Sequence, residues 1–311
     1  MDTFWTLLEQ IGLFVIYIIV GVILVKTKVL SRDTLETLSR YVLKLAMPVM
    51  IFVNTIDGVD RQSLIETSPL LGITVLFYCC TFLLAKGLAM VFRLRDNKEQ
   101  VYRALSMFGN IGFMGIPIIS SIFPQRGMLY IAVFTIIDQL VLWTLGVKLT
   151  TPSGGKGTFT PKKLVNPCTV AVVLAVVFVV AGVSLPSLLN TALDKIGGTA
   201  TPLAMIYLGG VFACMDIRKY IRFKEFYGIV GGKMVIFPIL FYLLVGLFPI
   251  SEEIHLTIAL LAAMPAMSSI VMMAKASHSE GDYAMGGIFV TTVCSIITLP
   301  VVCWILQSVF S

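Results

Sequence analysis

The chain has 311 residues, 58% of them hydrophobic and only 13% charged, with 23 Lys and Arg against 17 Asp and Glu and a net charge of +6. Its mean hydropathy is +0.95. Soluble domains carry about 25% charged residues and present a polar exterior, so the composition excludes a soluble enzyme. It also excludes a nucleic-acid-binding domain, because the basic residues sit in short loops between apolar runs, where they set membrane topology.

A bilayer crossing needs about 20 mostly apolar residues. In chain order such runs fall at 5–25, 35–56, 67–92, 99–122 and 126–149, then at 166–185, 188–214, 223–248, 252–277 and 282–309. The first run starts at Trp5 without a basic leader or a small-residue cleavage site, so it is expected to remain as a helix. The polar stretch TTPSGGKGTFTPKK reads as a cytoplasmic linker over 150–165. It separates a first five-helix repeat, 1–149, from a second, 166–311.

With ten spans, sixteen Lys and Arg fall in the loops of one side and two, Arg61 and Arg126, in those of the other. The rich side is expected to be cytoplasmic, leaving both termini outside. Nine or eleven spans would scramble that bias. An odd number of spans per half gives the halves opposite orientations, and weak self-similarity suits a duplication. LKLAMPVMIF around Pro48 resembles TATPLAMIYLGG around Pro202, and a constant shift lays Asn110 on Pro265 and Val133-Phe134 on Ile288-Phe289. Inverted repeats mark secondary transporters.

The fourth span reads SMFGNIGFMGIPIISSIF and holds Gly109, Asn110, Gly112, Gly115 and Pro117 within nine residues near mid-span. Inside a helix glycine costs about 1 kcal/mol and proline about 3 kcal/mol relative to alanine. The ninth span reads ALLAAMPAMSSIVMMAK, with Pro265 followed by Ser268 and Ser269. Each could be an ordinary proline kink. Two interruptions in matching positions of the two halves instead point to a substrate site. Pro117 and Pro265 suit the first turns of the second half-helices. Free helix N-termini, with Asn110, Ser268 and Ser269 as neutral donors, favour an anion, most simply a carboxylate.

GNIGFMGIP in the fourth span resembles the PNTxxMGIP segment of the auxin efflux carriers, the plant PIN-FORMED proteins and their bacterial relatives. AAMPAMSSIVMMAK is similar to their AALP…FAK segment, and Asn166-Pro167 and TPLAMIYLGG also resemble the family. The resemblance implies an all-α membrane fold of ten helices in two inverted five-helix repeats, related to sodium/proton antiporters and bile-acid transporters. It further implies crossing broken helices in spans four and nine, elevator-type movement and a homodimer. Asn110 matches the asparagine that meets the substrate carboxylate, and Pro117 and Pro265 match the crossover. The long central hydrophilic loop of the plant carriers is absent here. Bacterial relatives are linked to dicarboxylates such as malate or malonate.

Asp138 stands at the centre of the fifth span, where a charge costs about 3 kcal/mol on insertion scales. It reads either as a site for a coupling proton or sodium ion, or as a structural carboxylate paired with a lysine. Lys233 lies ten residues into the eighth span and is the candidate partner for Asp138 or for a second substrate carboxylate. Lys86 snorkels to the cytoplasmic face, Arg40 and Lys44 are interfacial anchors, and His255 and His278 are loop residues without a constellation. The six cysteines form no CxxC pair, and with two histidines no metal site is expected. No P-loop, HExxH or GxSxG motif with a triad is present.

The sequence therefore predicts a secondary transporter of small organic anions, dicarboxylates and auxin-like acids among them, in the plasma (inner) membrane. Its partners are the anion, the lipid bilayer and a second copy of the chain, with no nucleic acid. No cofactor is expected beyond the coupling proton or sodium ion. The competing readings are a cation antiporter built on Asp138 and a membrane receptor that transports nothing.

Overall fold

Apolar runs cannot leave backbone polar groups open to lipid, so a chain of this composition must close its hydrogen bonds within helices or a barrel. It uses helices. The computed structural model describes residues 2–58, 61–124, 126–152 and 167–310. Most of the linker expected over 150–165, and Asn166, lie outside the described residues.

In chain order the helices are α1 (Asp2–Lys26), α2 (Arg32–Gly58), α3 (Pro69–Val91), α4 (Asp96–Met107), α5 (Ile111–Ile122) and α6 (Gly127–Thr150). They continue with α7 (Pro167–Ala181), α8 (Ser187–Ala213), α9 (Lys224–Val245), α10 (Glu252–Ala263), α11 (Ser269–Ala276) and α12 (Gly281–Phe310). Short helical turns at Arg61–Glu66 and Ile217–Tyr220 lie between them. Among the described residues there is no strand beyond a single antiparallel bridge, Gly109 with Ala266.

Among the described residues seven helices are long and apolar enough to cross a bilayer: α1, α2, α3, α6, α8, α9 and α12. The predicted fourth, sixth and ninth spans are missing from that set. The sixth is short because its described helix covers only Pro167–Ala181. The fourth and ninth are each cut in two, into α4 and α5 and into α10 and α11.

The chain folds into two compact units, each drawn from both sides of the linker. The first comprises Met1–Ser68, Gly112–Ile136 and Val165–Met215. Within it α1 lies along α8 at backbone distance. A methyl group on Gly21 would strike the carbonyl oxygen of Ile206, and one on Gly209 the carbonyl oxygen of Ile18. Leu7, Ile11 and Phe14 of α1 are buried, whereas Trp5, Ile16, Ile19 and Ile23 are exposed, as suits a helix with one face to lipid. α2 packs on α7 and α8, with Phe52 edge-on to Phe178 at 5.3 Å and Gly197 against the backbone of Met50. Arg40 is exposed and paired with Glu36. Because carbonyl oxygens cannot move aside as a side chain can, Gly21→Leu should destabilise this unit by about 3 kcal/mol, the upper end for overpacking. The unfolding midpoint in detergent would fall clearly below that of the wild type.

The second unit comprises Pro69–Ile111, Ile137–Leu164 and Asp216–Ser311. α3 and α4 form a hairpin whose turn places Arg93 and Asp96 at φ of 52° and 55°. The Arg103 guanidinium of α4 lies 4.9 Å from the Phe82 ring of α3. Lys86 is exposed on α3. An aromatic cluster, Phe77 with Phe237 at 5.6 Å and Phe241 at 5.5 Å, joins α3 to α9. At the α4 start Lys98 sits over the rings of Phe223 and Tyr283, and the Tyr102 hydroxyl donates to the Glu225 carbonyl at 2.9 Å.

Candidate substrate-binding site

α4 ends where its glycines begin. Phe108 is extended at φ −96° and ψ 116°. The chain regains helix at Ile111, first in wide, i→i+5-type turns over Ile111–Gly115 and then regularly from Ile116. α10 ends for a different reason. A proline disfavours helical backbone in the residue before it, and Met264, ahead of Pro265, is extended at φ −58° and ψ 142°. Helix resumes with Ser268 as the cap of α11.

The two extended stretches, both in the second unit, satisfy each other. The Asn110 amide donates to the Pro265 carbonyl at 2.7 Å and the Met267 amide to the Phe108 carbonyl at 2.9 Å, on either side of the Gly109–Ala266 bridge. The Ala266 amide donates to the Thr291 hydroxyl of α12 at 3.2 Å. Broken backbone inside a membrane protein survives only when satisfied in this way.

The side chains are a different matter. Asn110 is 1% exposed, yet neither its Oδ1 nor its Nδ2 has a hydrogen-bond partner. Ser268 is 5% exposed and its Oγ is likewise unpartnered. Leaving such groups unsatisfied costs about 1–3 kcal/mol each, so the interruption keeps polar atoms that the fold itself does not use. Ser269 is half-buried in the first turn of α11.

Beside Gly109 stands Lys233. A Cβ placed on Gly109 would lie 3.4 Å from Lys233 Nζ and 3.3 Å from the Leu261 carbonyl oxygen. Lys233 is 0% exposed, and its Nζ donates to the Met264 carbonyl. The residue belongs to a wide-turn stretch of α9, Ile229–Ile236, which also contains Gly231 and Gly232.

Two details correct the sequence reading. Pro117 does stand in the first turn of the regular helix Ile116–Ile122, but wide turns over Ile111–Gly115 precede it, and the helix after Pro265 starts only at Ser269. Pro117 falls inside a continuing helix, because the wide turns before it relieve the usual clash of an interior proline. Pro265 lies in the extended stretch and supplies a carbonyl. Gly112 and Pro117 lie beyond the interruption, in the first unit, where Gly112 abuts the Met47 side chain.

Asp138, on α6, is 2% exposed. Its carboxylate accepts from the Tyr78 hydroxyl and, at 3.0 Å, from Gln139 Nε2, while Trp143 Nε1 donates to Gln139 Oε1 at 3.0 Å. The Tyr78 ring lies 5.8 Å from that of Phe108, at the edge of the interruption. The ion pairs among the described residues are Arg40–Glu36, Arg103–Glu99 and Lys275–Asp282. Asp138 is thus paired with neutral donors and not with a lysine, and Lys233 with a carbonyl and not with an acid. Sequence reading missed Tyr78, Gln139 and Thr291. Gln139 was visible as the polar neighbour of a mid-span aspartate; nothing local ties Tyr78 or Thr291 to their partners. Tyr78→Phe removes one charge-assisted hydrogen bond, worth about 1.5–3 kcal/mol. It should lower the unfolding midpoint in detergent without changing helix content by circular dichroism.

The family model described as "Membrane transport protein" matches residues 7–163 and 157–303. An uncharacterised transporter of Methanocaldococcus jannaschii is 24% identical over 96% of this chain and 98% of its own length. One of Methanothermobacter thermautotrophicus is 26% identical over 94% of this chain and 96% of its own. A protein of Rhizobium meliloti named as a putative malonate transporter is 21% identical over 89% of this chain and 88% of its own.

Proposed function

Because this chain belongs to the membrane transport protein family, that of the auxin efflux carriers and their relatives, we propose that it is a secondary transporter of small organic anions. The observation that carries this reading is the buried, unpartnered side-chain amide of Asn110. Asn110 Nδ2 and the Ser268 hydroxyl are donors awaiting an acceptor. The first-turn amides of α11, at Ser268 and Ser269, add the partial positive charge of a helix start. A carboxylate is the simplest group to satisfy all of them.

In this reading α4 with α5, and α10 with α11, each make one interrupted crossing. With α7 and the seven long helices they complete ten crossings in two inverted five-helix repeats. Gly109, Asn110, Pro265, Ser268 and Ser269 all lie in one compact unit, as an elevator-type mechanism requires of a site carried across the membrane. The reading also holds the chain to be a homodimer of the inner membrane with both termini extracytoplasmic. Asp138 is its site for a coupling proton. The similarity to a protein named for malonate makes that dicarboxylate the first probe.

The test is uptake and counterflow of labelled malonate in proteoliposomes, with mono- and dicarboxylates as competitors. Saturable counterflow is expected. Binding in detergent without counterflow would favour a receptor. One observation favours a second reading: a buried carboxylate without a cation beside it is also what a cation antiporter needs. A pH change on adding sodium, with no organic anion present, would establish that reading instead.

A further inference from the structure

Lys233 takes no part in the anion reading, because its Nζ is already held by the Met264 carbonyl beside Gly109. An ammonium ion buried without an acid costs several kcal/mol. The place it occupies accounts for its presence. α10 ends at Ala263, and the carbonyls of a helix's last turn lack partners and carry partial negative charge. In secondary transporters such freed carbonyls at interrupted helices coordinate the coupling metal ion. Here the Met264 carbonyl receives the Lys233 ammonium, while the Leu261 carbonyl, which borders the same Gly109 position, already accepts from the Met264 backbone amide at 3.3 Å. A Cβ on Gly109 would touch Nζ at 3.4 Å, an ordinary contact, and would press on the Met264 Cβ at 3.2 Å and the Leu261 carbonyl oxygen at 3.3 Å. Gly231 and Gly232 in the wide-turn stretch of α9 keep the backbone ahead of Lys233 free of side chains.

We propose that Lys233 is the resident cation of the interruption: its tethered ammonium does at the carbonyl end of α10 what a bound sodium ion would do. The gap then keeps its shape, and its affinity for anions, without a metal ion. The effect on anion affinity rests on the transporter reading; the shape of the gap does not.

Two measurements separate them. The first is the unfolding midpoint of detergent-purified protein in chloride salts of choline, sodium and methylammonium. The wild type should show the same midpoint in all three. Lys233→Ala should unfold at a lower temperature and be raised selectively by methylammonium or sodium, because a cation that binds only the folded state stabilises it by mass action. Lys233→Gln serves if the alanine variant does not fold, with the same selective response expected. A wild-type midpoint that rises on adding sodium, or a variant no more responsive than the wild type, would overturn the proposal.

The second measurement is malonate binding. Wild-type affinity should be equal in sodium and choline, and Lys233→Ala should bind about tenfold or more weakly in choline, the scale of one lost charge-assisted hydrogen bond. Methylammonium should restore it. If the wild type binds no carboxylate in any salt, the transporter reading fails while the midpoint experiment still decides the role of Lys233. If wild-type binding requires sodium, the resident cation is refuted and the transporter reading stands.

Discussion

Asn110→Ala should abolish most malonate uptake while leaving the protein as stable as before, or more so. Both results follow from one fact: the Asn110 side-chain amide is buried and has no partner in the protein. A donor to a carboxylate in a water-poor site is worth about 1.5–3 kcal/mol, which lowers affinity by about 10- to 150-fold. An asparagine that held the fold together would behave in the opposite way, because its loss would strand the groups it bonded. Here removal relieves an unsatisfied amide, so the midpoint should hold or rise, the usual signature of a polar group kept for function. Asn110→Asp adds a second test of sign, since it places like charge against the incoming anion and should be at least as damaging. Uptake by the alanine variant within about twofold of wild type, a difference under 0.5 kcal/mol, would remove Asn110 from the site.

The part of this fold that a linear reading reaches is the part written in local physics. Long apolar runs give α1, α2, α3, α6, α8, α9 and α12 almost directly. The cost of glycine and proline inside helices locates both interruptions to within a few residues. Where the helices restart was not legible. Pro117 stands in the first turn of the regular helix from Ile116, yet the chain already turns helically over Ile111–Gly115 before it, and the helix after Pro265 waits until Ser269. Such turns follow from how the whole helix packs and not from any one residue. Long-range partners were equally hidden. Lys233 invited an acidic partner and found a carbonyl; Asp138 invited a lysine and found Tyr78, sixty residues earlier in the chain. Helical periodicity assigns a face but not the neighbour that meets it. Gly21 and Gly209 read as isolated small residues, and only the packed structure shows that each admits a carbonyl of the other's helix.

Asp138→Asn should separate coupling from binding. The carboxylate accepts from Tyr78 and Gln139. An asparagine can occupy the same space, accepting through its oxygen while the Tyr78 hydroxyl turns to accept from its amide. The substitution therefore removes charge more than shape. If Asp138 carries the coupling proton, counterflow of malonate, which needs only a working anion site, should persist within about twofold, a change of under 0.5 kcal/mol. Accumulation against a gradient should be lost. One proton moved with each anion converts a pH difference of one unit, about 1.36 kcal/mol, into about tenfold accumulation, and the variant should show none. A purely structural carboxylate predicts a lower unfolding midpoint with accumulation intact. A cation antiporter predicts loss of sodium-dependent proton movement in vesicles that contain no organic anion. The neutral partners of Asp138 favour the first outcome. A permanent lysine neighbour would lock the carboxylate in its charged form, whereas Tyr78 and Gln139 can rearrange their hydrogen bonds around either form of the acid as a proton arrives and leaves.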